Sequence, residues 1–405
     1  MHQEFRYGPS PQFFQRCPPA TPRRCTGAQG RSPAAGRDGP RGAVDFLLRD
    51  PAPAPSYRTA ATRTERGQQH REISQLWLNH WLTTPTPAAE RLVLFWHGHL
   101  TSEFRETMGA QGIDFWQQFA TFRQLGYGPY GDLLKAIARN PVMLLYLNNA
   151  QSRKEHPNQN WARELLELYT LGPGHYTEQD ILEAARAFTG WTVRLPGNQR
   201  PREASANLAF EFVFNPRWHD PGEKTFLGRR VRTGDEVLEV LIEHPQTYLF
   251  VARKLLRFYL CPDPPEALVQ EGARVFRAEG TRGFLRWLFT HEAFYSPAYR
   301  NALIKSPLEY LVGLWYAAGV RQVNFEERPG RALYQSLAAM GQIPFDPPNV
   351  AGWDGGLAWL AESPFLTRIN LLAGFAGREQ RLDLSVFMDN ADGALSLVKP
   401  EAQLL

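Results

Sequence analysis

Apolar residues recur every three or four positions along most of the chain from about residue 64 onward. This period places them on one face of an α-helix, so the pattern predicts a mainly helical protein. Pro87 stands where a helix begins, and Pro141 divides one apolar stretch into two helices. The predicted helices cover 71–84, 87–104, 114–126, 130–152 with its break, 160–171, 177–190, 234–243, 246–260, 265–278, 281–289, 306–319, 331–340 and 363–376.

The segment 194–231 departs from the helical period. It is rich in turn residues and contains an alternating stretch, "FEFVF" at 210–214, and a shorter one, "KTFLGRRV" at 224–231. Alternation of this kind between turns predicts a small β-hairpin on a helical body. The predicted fold class is therefore mainly α, a single large multi-helical domain with a small β-hairpin insertion.

Three regions follow from composition along the chain. Residues 1–42 are rich in Pro, Gly, Arg and Ser and carry few periodic apolar positions, which predicts an irregular N-terminal segment. The helical domain extends over 43–375, and 376–405 form a C-terminal tail. No apolar core with a small-residue cleavage site is visible near the start, so no signal peptide is predicted.

Charge and cysteine content exclude several function classes. The 45 Lys and Arg and 41 Asp and Glu are mixed throughout, with no basic run that would follow a nucleic acid backbone. We therefore expect no nucleic acid partner. No apolar run reaches 18 residues, so no transmembrane segment is expected. The three cysteines lack the C-x-x-C spacing of a thiolate zinc site.

The stretch "HPNQNWARELLELYTLG" at 156–172 is the first candidate for chemistry. Helical spacing places Asn160, Glu164 and Glu167 on one face, and leucines and Tyr169 cover most of the rest. One interpretation is a solvated acidic face. The other is a buried polar cluster, in which Arg163, a histidine or a metal neutralises the carboxylates because an unpaired buried charge is costly.

Two histidines in "WHGHL" are the second candidate. His97 and His99 lie two residues apart, which on a helix directs them about 200° apart. Convergence on a metal then requires the end of the helix to fray around the intervening glycine. The proposed metal ligands are His97, His99, Glu164 and Glu167, and the alternative is a pair of polar caps beneath tryptophans.

The third candidate is the stretch "WHDPGEKTFLG", which joins His219 and Asp220 to a glycine turn and Lys224. Histidine titrates near neutrality and lysine carries a fixed positive charge, so the group can bind a metal, move a proton or bind an anion. The alternative is a hairpin whose aspartate caps the turn.

Seven motifs in one order resemble the bacterial family known as domain of unknown function 1800, over residues 43–375. This resemblance implies a predominantly α-helical fold and no established activity. It also implies frequent export and a co-encoded partner with a sulfatase-like or phosphatase-like fold. The motifs are "FWHGH", "YLNNAQSRKEHPNQNWARELLELYTLG", "YTEQDILEAARAFTGW", "HDPGEKTFLG", "HPQTYLFVARKLLRFY", "KSPLEYLVG" and "MGQIPFDPPNVAGWDGGLAWL".

Taken together, the three candidates predict one polar cleft for metal-dependent or acid/base hydrolytic chemistry. The cofactor is unknown, with a divalent metal as the candidate. The alternative is a non-catalytic scaffold that binds the sulfatase-like protein, another protein or a polysaccharide through aromatic loops. An enzyme requires a solvent-connected cleft, whereas a structural network can be sealed. The residues predicted for acid/base catalysis are Glu164, Glu167, His219, Asp220 and Lys224.

Overall fold

The structure is a computed structural model of the full chain. The irregular segment predicted at 1–42 lies outside the described residues except for its last positions, which begin the first helix. The tail predicted at 376–405 also lies outside them, apart from its first residue. The residues that the structure describes are 39–57, 66–107, 110–198, 209–327 and 330–376.

The predicted mainly helical fold is confirmed, with fourteen α-helices in the described ranges. None of these helices combines the length and apolarity needed to cross a bilayer. The helices are α1 Gly39–Leu47, α2 Arg66–Thr83, α3 Pro87–His99, α4 Gly112–Leu125, α5 Tyr130–Ala138, α6 Pro141–Tyr146, α7 Gln159–Glu164, α8 Glu178–Ala187, α9 Gly234–Glu243, α10 Pro245–Tyr259, α11 Glu266–Thr290, α12 Pro307–Ala317, α13 Gly330–Ala339 and α14 Glu362–Ala376.

The β-structure is two separate two-stranded antiparallel sheets rather than one hairpin. Strand β1 (Trp191–Arg194) pairs with β2 (Glu211–Phe214), so "FEFVF" joins an upstream strand. Strand β3 (Lys224–Phe226) pairs with β4 (Arg229–Val231). The residues between β3 and β4, Leu227 and Gly228, have φ values of 46° and 74°. Two left-handed residues make the tight turn that suits a hairpin, which explains why "KTFLGRRV" pairs with itself.

Helix α3 runs through the core, and nearly every side chain from Ala89 to His97 is buried. It packs on α2 and α4, while α10 packs on α11 and α7 on α8. Its one buried carboxylate, Glu90, accepts hydrogen bonds from Arg123 at 2.8 and 2.6 Å and from the Trp77 indole at 2.8 Å. Hydrogen bonds and charge from His80 and Arg123 outweigh burial and lower the pKa of Glu90 to about 2. The core thus contains a buried ion pair, in which Arg123 Nη1 has no hydrogen-bond partner among the described residues.

Several helix ends follow the sequence signals, and others do not. Thr177 and Asp180 form the capping box that their spacing predicts at the start of α8. Gly280, with φ 69° and ψ −168°, interrupts α11 between the two helices predicted there. Helix α3, however, ends at His99 instead of continuing to 104. The chain after His99 therefore turns away and carries Glu103 to a different surface.

Candidate active site

His97, in the last turn of α3, is fully buried and holds a backbone group. Its Nε2 accepts a hydrogen bond from the Phe345 N–H at 3.1 Å, and its ring packs edge-on against Phe119 and Trp353. Burial lowers the pKa of His97 to about 3, so the ring is neutral and can act as this acceptor. His97 is therefore tied to the segment around residue 345.

Phe345 adopts a left-handed backbone conformation, with φ 61°, which is rare for a bulky residue. Both of its backbone polar groups are satisfied, because its carbonyl accepts the Phe104 N–H at 2.8 Å and its N–H reaches His97. Its ring packs against Phe119 with centroids 4.2 Å apart. The surrounding structure thus compensates a strained residue, and that residue directs the next one, Asp346, toward the segment after α3.

The Glu103 and Asp346 carboxyl groups lie close enough to act on each other's pKa, and Asp346 Oδ1 is buried with no hydrogen-bond partner among the described residues. The Asp346 side chain is only 7% exposed, and the Arg105 guanidinium lies 3.0 Å from its Oδ2. Burial, together with the negative charges of Asp346 and Glu106, raises the pKa of Glu103 to about 7. Burial also raises the pKa of Asp346, against the opposing effect of Arg105. Near neutrality Glu103 is therefore partly protonated, beside the Asp346 carboxyl group.

Glu164 approaches the same pair from the end of α7. Its carboxyl group is partly buried, and burial, then the charge of Glu167, raises its pKa. The Tyr146 hydroxyl interacts electrostatically with Glu103, Glu164 and Glu106, and burial and these charges raise its pKa far above the usual value. Tyr146 therefore stays protonated and links the predicted Glu164 to the carboxyl pair.

The other polar residues of this helix are divided between different partners. The Glu167 carboxylate accepts the Tyr176 hydroxyl at 2.9 Å. Arg163, expected to neutralise the glutamates of its own helix, pairs instead with Glu178 through two hydrogen bonds of 2.8 and 2.7 Å. Asn160 is exposed. The stripe is thus partly solvated and partly buried, and Glu164 is the member whose charge acts on Tyr146, as the charge of Glu103 does.

His99 lies in a buried chain of hydrogen bonds on the other side of α3. Its Nε2 contacts the Tyr130 hydroxyl at 3.0 Å, and its Nδ1 lies 3.2 Å from the Lys254 ammonium. These two partners donate to carbonyls of Tyr169 and Leu168, at 2.5 and 3.2 Å. Both carbonyls belong to a π-helical segment, Leu165–Thr170, which continues α7. His99 is therefore occupied on both nitrogens and points away from His97.

The turn that carries Lys224 forms its own network on α8. The Lys224 ammonium donates to the carbonyls of Asp220 and Arg232, the second at 2.7 Å. The Asp220 carboxylate accepts from Arg186 at 2.8 Å, and His219 Nδ1 lies 2.9 Å from a backbone carbonyl. The positive charges that neutralise Asp220 are Arg186 on α8 and Lys224 in the turn itself. The structure does not bring this turn to the carboxyl pair.

The four predicted metal ligands do not assemble into a site. His97 Nε2 is bonded to backbone, and both His99 nitrogens are bonded to other side chains. Among the residues described, no group of three or more His, Cys, Asp and Glu is placed to hold a metal ion. The arrangement of His97, His99, Glu164 and Glu167 thus offers no support for a metal centre.

Sequence reasoning missed Glu103, Asp346 and Tyr146. Glu103 follows "HGH" by a few residues, but it was counted into the helix predicted to end at 104. Asp346 lies in "MGQIPFDPPNVAGWDGG", which was interpreted as a loop. Tyr146 and Asp346 lie within two of the family motifs, and Glu103 lies four residues after "FWHGH", but no local spacing connects the three.

Comparison with known proteins identifies a family for this chain but no individual relative. No curated protein and no solved structure matches the chain. One family model, described as a protein of unknown function, matches residues 1–403, a range wider at both ends than the resemblance over 43–375. With nearly the whole length matched, the chain belongs to the DUF1800 family.

Proposed function

We propose that this protein is a hydrolase whose acid and base are the Glu103 and Asp346 carboxyl groups. The observation that carries the proposal is the nearly buried Asp346 carboxyl group beside Glu103, whose pKa is raised to about 7. A general acid and base work best when their pKa lies near the working pH. Two carboxyl groups in direct contact with one proton between them are the arrangement that activates water in acid proteases.

The reaction uses both members of the pair at once. The Asp346 carboxylate accepts a proton from water as the water oxygen bonds to the electrophilic carbon of the substrate. Glu103 donates its proton to the carbonyl oxygen or to the leaving group, so charge stays balanced in each step. The neutral Tyr146 hydroxyl is available as a hydrogen-bond donor to the substrate, and Glu164 beside it positions a substrate donor.

The charges around the pair favour a neutral or positively charged substrate. Three further glutamates carry negative charge in this region. Glu106 acts on Glu103, Glu164 on Tyr146 and Glu167 on Glu164, and the positive charge of Arg105 opposes that of Glu106. A surface with this excess of carboxyl groups repels an anionic substrate. Neutral glycosides, peptides and uncharged esters are therefore the classes to test.

The proposal retains Glu164 from the sequence prediction and gives other residues a positioning role. His97 holds the Phe345 backbone, and through it Asp346. Lys224, Asp220 and His219 hold a turn that the structure keeps on α8. A catalytic role for that turn has no supporting contact with the carboxyl pair.

The test is a hydrolysis screen of the full-length protein against those three substrate classes between pH 5 and 8. Any activity found should fall at least 100-fold in Glu103→Gln and in Asp346→Asn, since each change removes one half of proton transfer. Glu155→Gln is the matched control, because Glu155 is 58% exposed and has only a long contact to Lys154. Activity that survives both substitutions would remove the proposal.

A second candidate function, binding another protein, is favoured by one surface. Apolar side chains are exposed along α14 and before it: Leu357 is 80% exposed, Leu366 51%, Phe365 47% and Ile369 47%. Such clustering is typical of interaction surfaces. Trp191 and Trp353 fit this role less well, because Trp191 begins β1 and is buried, and Trp353 packs on His97. Co-purification of the co-encoded sulfatase-like protein with wild type but not with Leu366→Glu would support it.

A further inference from the structure

A second group of buried charged residues lies where α3, α12 and α14 meet. It shares no residue with the Glu103–Asp346 pair, and its excess charge is positive, whereas that of the pair is negative. Its single carboxylate, Glu309, is fully used. Oε1 accepts Arg91 Nε at 2.7 Å, and Oε2 accepts the Ser306 backbone N–H at 3.0 Å. Arg91 and Glu309 therefore neutralise one another, with side chains 8% and 15% exposed. Two further cations beside them remain to be balanced.

The first of these cations is Lys305, which precedes α12 and is 9% exposed. Its backbone carbonyl accepts Arg368 Nη2 at 2.9 Å, which holds the two residues together. Its ammonium lies within electrostatic range of Glu309, Arg91 and Arg368. Within the described ranges no hydrogen-bond acceptor is found for this ammonium. The ammonium is not among the described atoms that are both fully buried and unpartnered, so solvent reaches it although most of the residue is buried.

The second cation is Arg368, the inward-facing residue of α14, which is 8% exposed. Its guanidinium stacks on the Tyr310 ring at 5.0 Å and makes one hydrogen bond, to the Lys305 carbonyl. Its Nε is buried and has no acceptor in the part of the chain described. Arginine carries five N–H donors in a planar arrangement that matches the oxygens of an anion.

Burial of two uncompensated cations carries a large desolvation cost. The protein can reduce that cost by losing a proton or by binding an anion. Burial, and the positive charges of Arg91 and Arg368, lower the pKa of Lys305 to about 7, although Glu309 opposes them. Burial also lowers the pKa of Arg368, which still stays charged. Arg368 in particular therefore needs an anionic partner.

We propose that Lys305 and Arg368 form a binding site for a small oxyanion, of the phosphate, sulfate or carboxylate type. The unpaired Lys305 ammonium and the unpaired Arg368 Nε–H supply the donors, and the satisfied Arg91–Glu309 pair forms the wall behind them. Charge-assisted bonds of this kind are the strong ones in proteins. The site is independent of the proposed hydrolytic activity, because it is made of residues that the hydrolytic proposal does not use.

The experiment is calorimetric titration of the full-length protein with sodium sulfate, inorganic phosphate and sodium acetate, each as its own arm. Sulfate is the main probe, because its charge does not change between pH 6 and 9. We expect sulfate to bind, and at pH 8 to take up close to one proton as Lys305 becomes charged. Comparison of two buffers with different ionisation enthalpies measures that proton uptake. Stronger binding of acetate than of sulfate would assign the site to carboxylates.

Lys305→Met and Arg368→Gln should each weaken sulfate binding at least 10-fold, and Lys305→Met should also abolish the proton uptake. Lys154→Met, at an exposed lysine, is the matched control and should bind as wild type does. Lys305→Met keeps the backbone carbonyl that holds Arg368, so it should leave the fold intact. Absence of binding by wild type in all three arms, or equal binding by Lys305→Met, would overturn the proposal.

Discussion

The Phe345 N–H donates to His97 Nε2 at 3.1 Å, so a histidine predicted to bind a metal instead holds a strained backbone segment. Since Phe345 has a left-handed φ of 61°, its conformation depends on contacts of this kind. The next residue, Asp346, is placed against Glu103 by that conformation. His97 thus influences the carboxyl pair without touching it.

The first prediction concerns this relationship. His97→Leu should lower the free energy of unfolding by about 1 to 3 kcal/mol, because it leaves a buried N–H without an acceptor. It should also move the pH dependence of any activity, since Asp346 is no longer held against Glu103. Chemical denaturation measures the first effect. His156→Leu, at an exposed histidine, should show neither change.

The second prediction is a pH dependence of stability that comes from Glu103. Its folded pKa, about 7, lies above the ordinary value of 4.5, so the folded state binds this proton more tightly. The stabilisation is fully present below pH 4.5 and is lost as pH rises through 7. We expect a contribution of about 1 kcal/mol, after allowance for solvent screening of a partly exposed group.

Glu103→Gln tests this contribution, because glutamine keeps a hydrogen-bond donor to Asp346 but does not titrate. Denaturation midpoints of wild type and variant, measured from pH 4 to 8, should diverge between 4.5 and 7. Asp346→Asn should lower the pKa of Glu103, since it removes a neighbouring negative charge. Parallel curves for wild type and Glu103→Gln would contradict the raised pKa of Glu103.

The third prediction separates the Lys224 turn from the candidate active site. The Lys224 residue is 1% exposed, and its ammonium donates to two backbone carbonyls. Lys224→Ala should therefore cost about 2 to 4 kcal/mol of stability, because it leaves these acceptors and Asp220 unbalanced. Any hydrolytic activity should persist at temperatures where the variant is folded. Arg230→Ala, at a side chain 81% exposed, should change stability by about 0.5 kcal/mol or less.

The fourth prediction concerns the ion pair in the core. Arg123→Ala leaves the buried Glu90 carboxylate without its main partner and should cost about 3 to 5 kcal/mol. Because the folded pKa of Glu90 is about 2, its contribution to stability is present above the ordinary value of 4.5 and is lost as pH falls toward 2. Acid denaturation curves measure this. A Glu90→Gln/Arg123→Met double variant should recover part of the lost stability.

The helices were largely predictable because each depends on local information, a period of apolar residues and a cap. Thr177 and Asp180 are three residues apart, and their capping box could be recognised from spacing alone. The end of α3 was placed too late, since no proline or glycine follows His99 directly. The pairing of β1 with β2 was missed because it joins segments separated by a long connection.

The candidate site was less predictable because its contacts are long-range. Glu164 was identified from the unusual face of its helix, and its carboxyl group is indeed partly buried. Glu103 and Asp346 are brought together by one backbone hydrogen bond, from the Phe104 N–H to the Phe345 carbonyl, which no periodicity reveals. Arg163 was assigned to its own helix, but Glu178 on the neighbouring helix has the better geometry for two hydrogen bonds.

The π-helical segment Leu165–Thr170 can be regarded as a helix that contains one residue more than an α-helix of the same span. Removal of a single residue there would rotate everything after it by about 100°. The carbonyls of Leu168 and Tyr169 would then turn away from Lys254 and Tyr130. In an alignment of related chains, a one-residue gap in this stretch would therefore mark the chains that cannot bury a lysine at the position of Lys254. Chains without the gap would keep it.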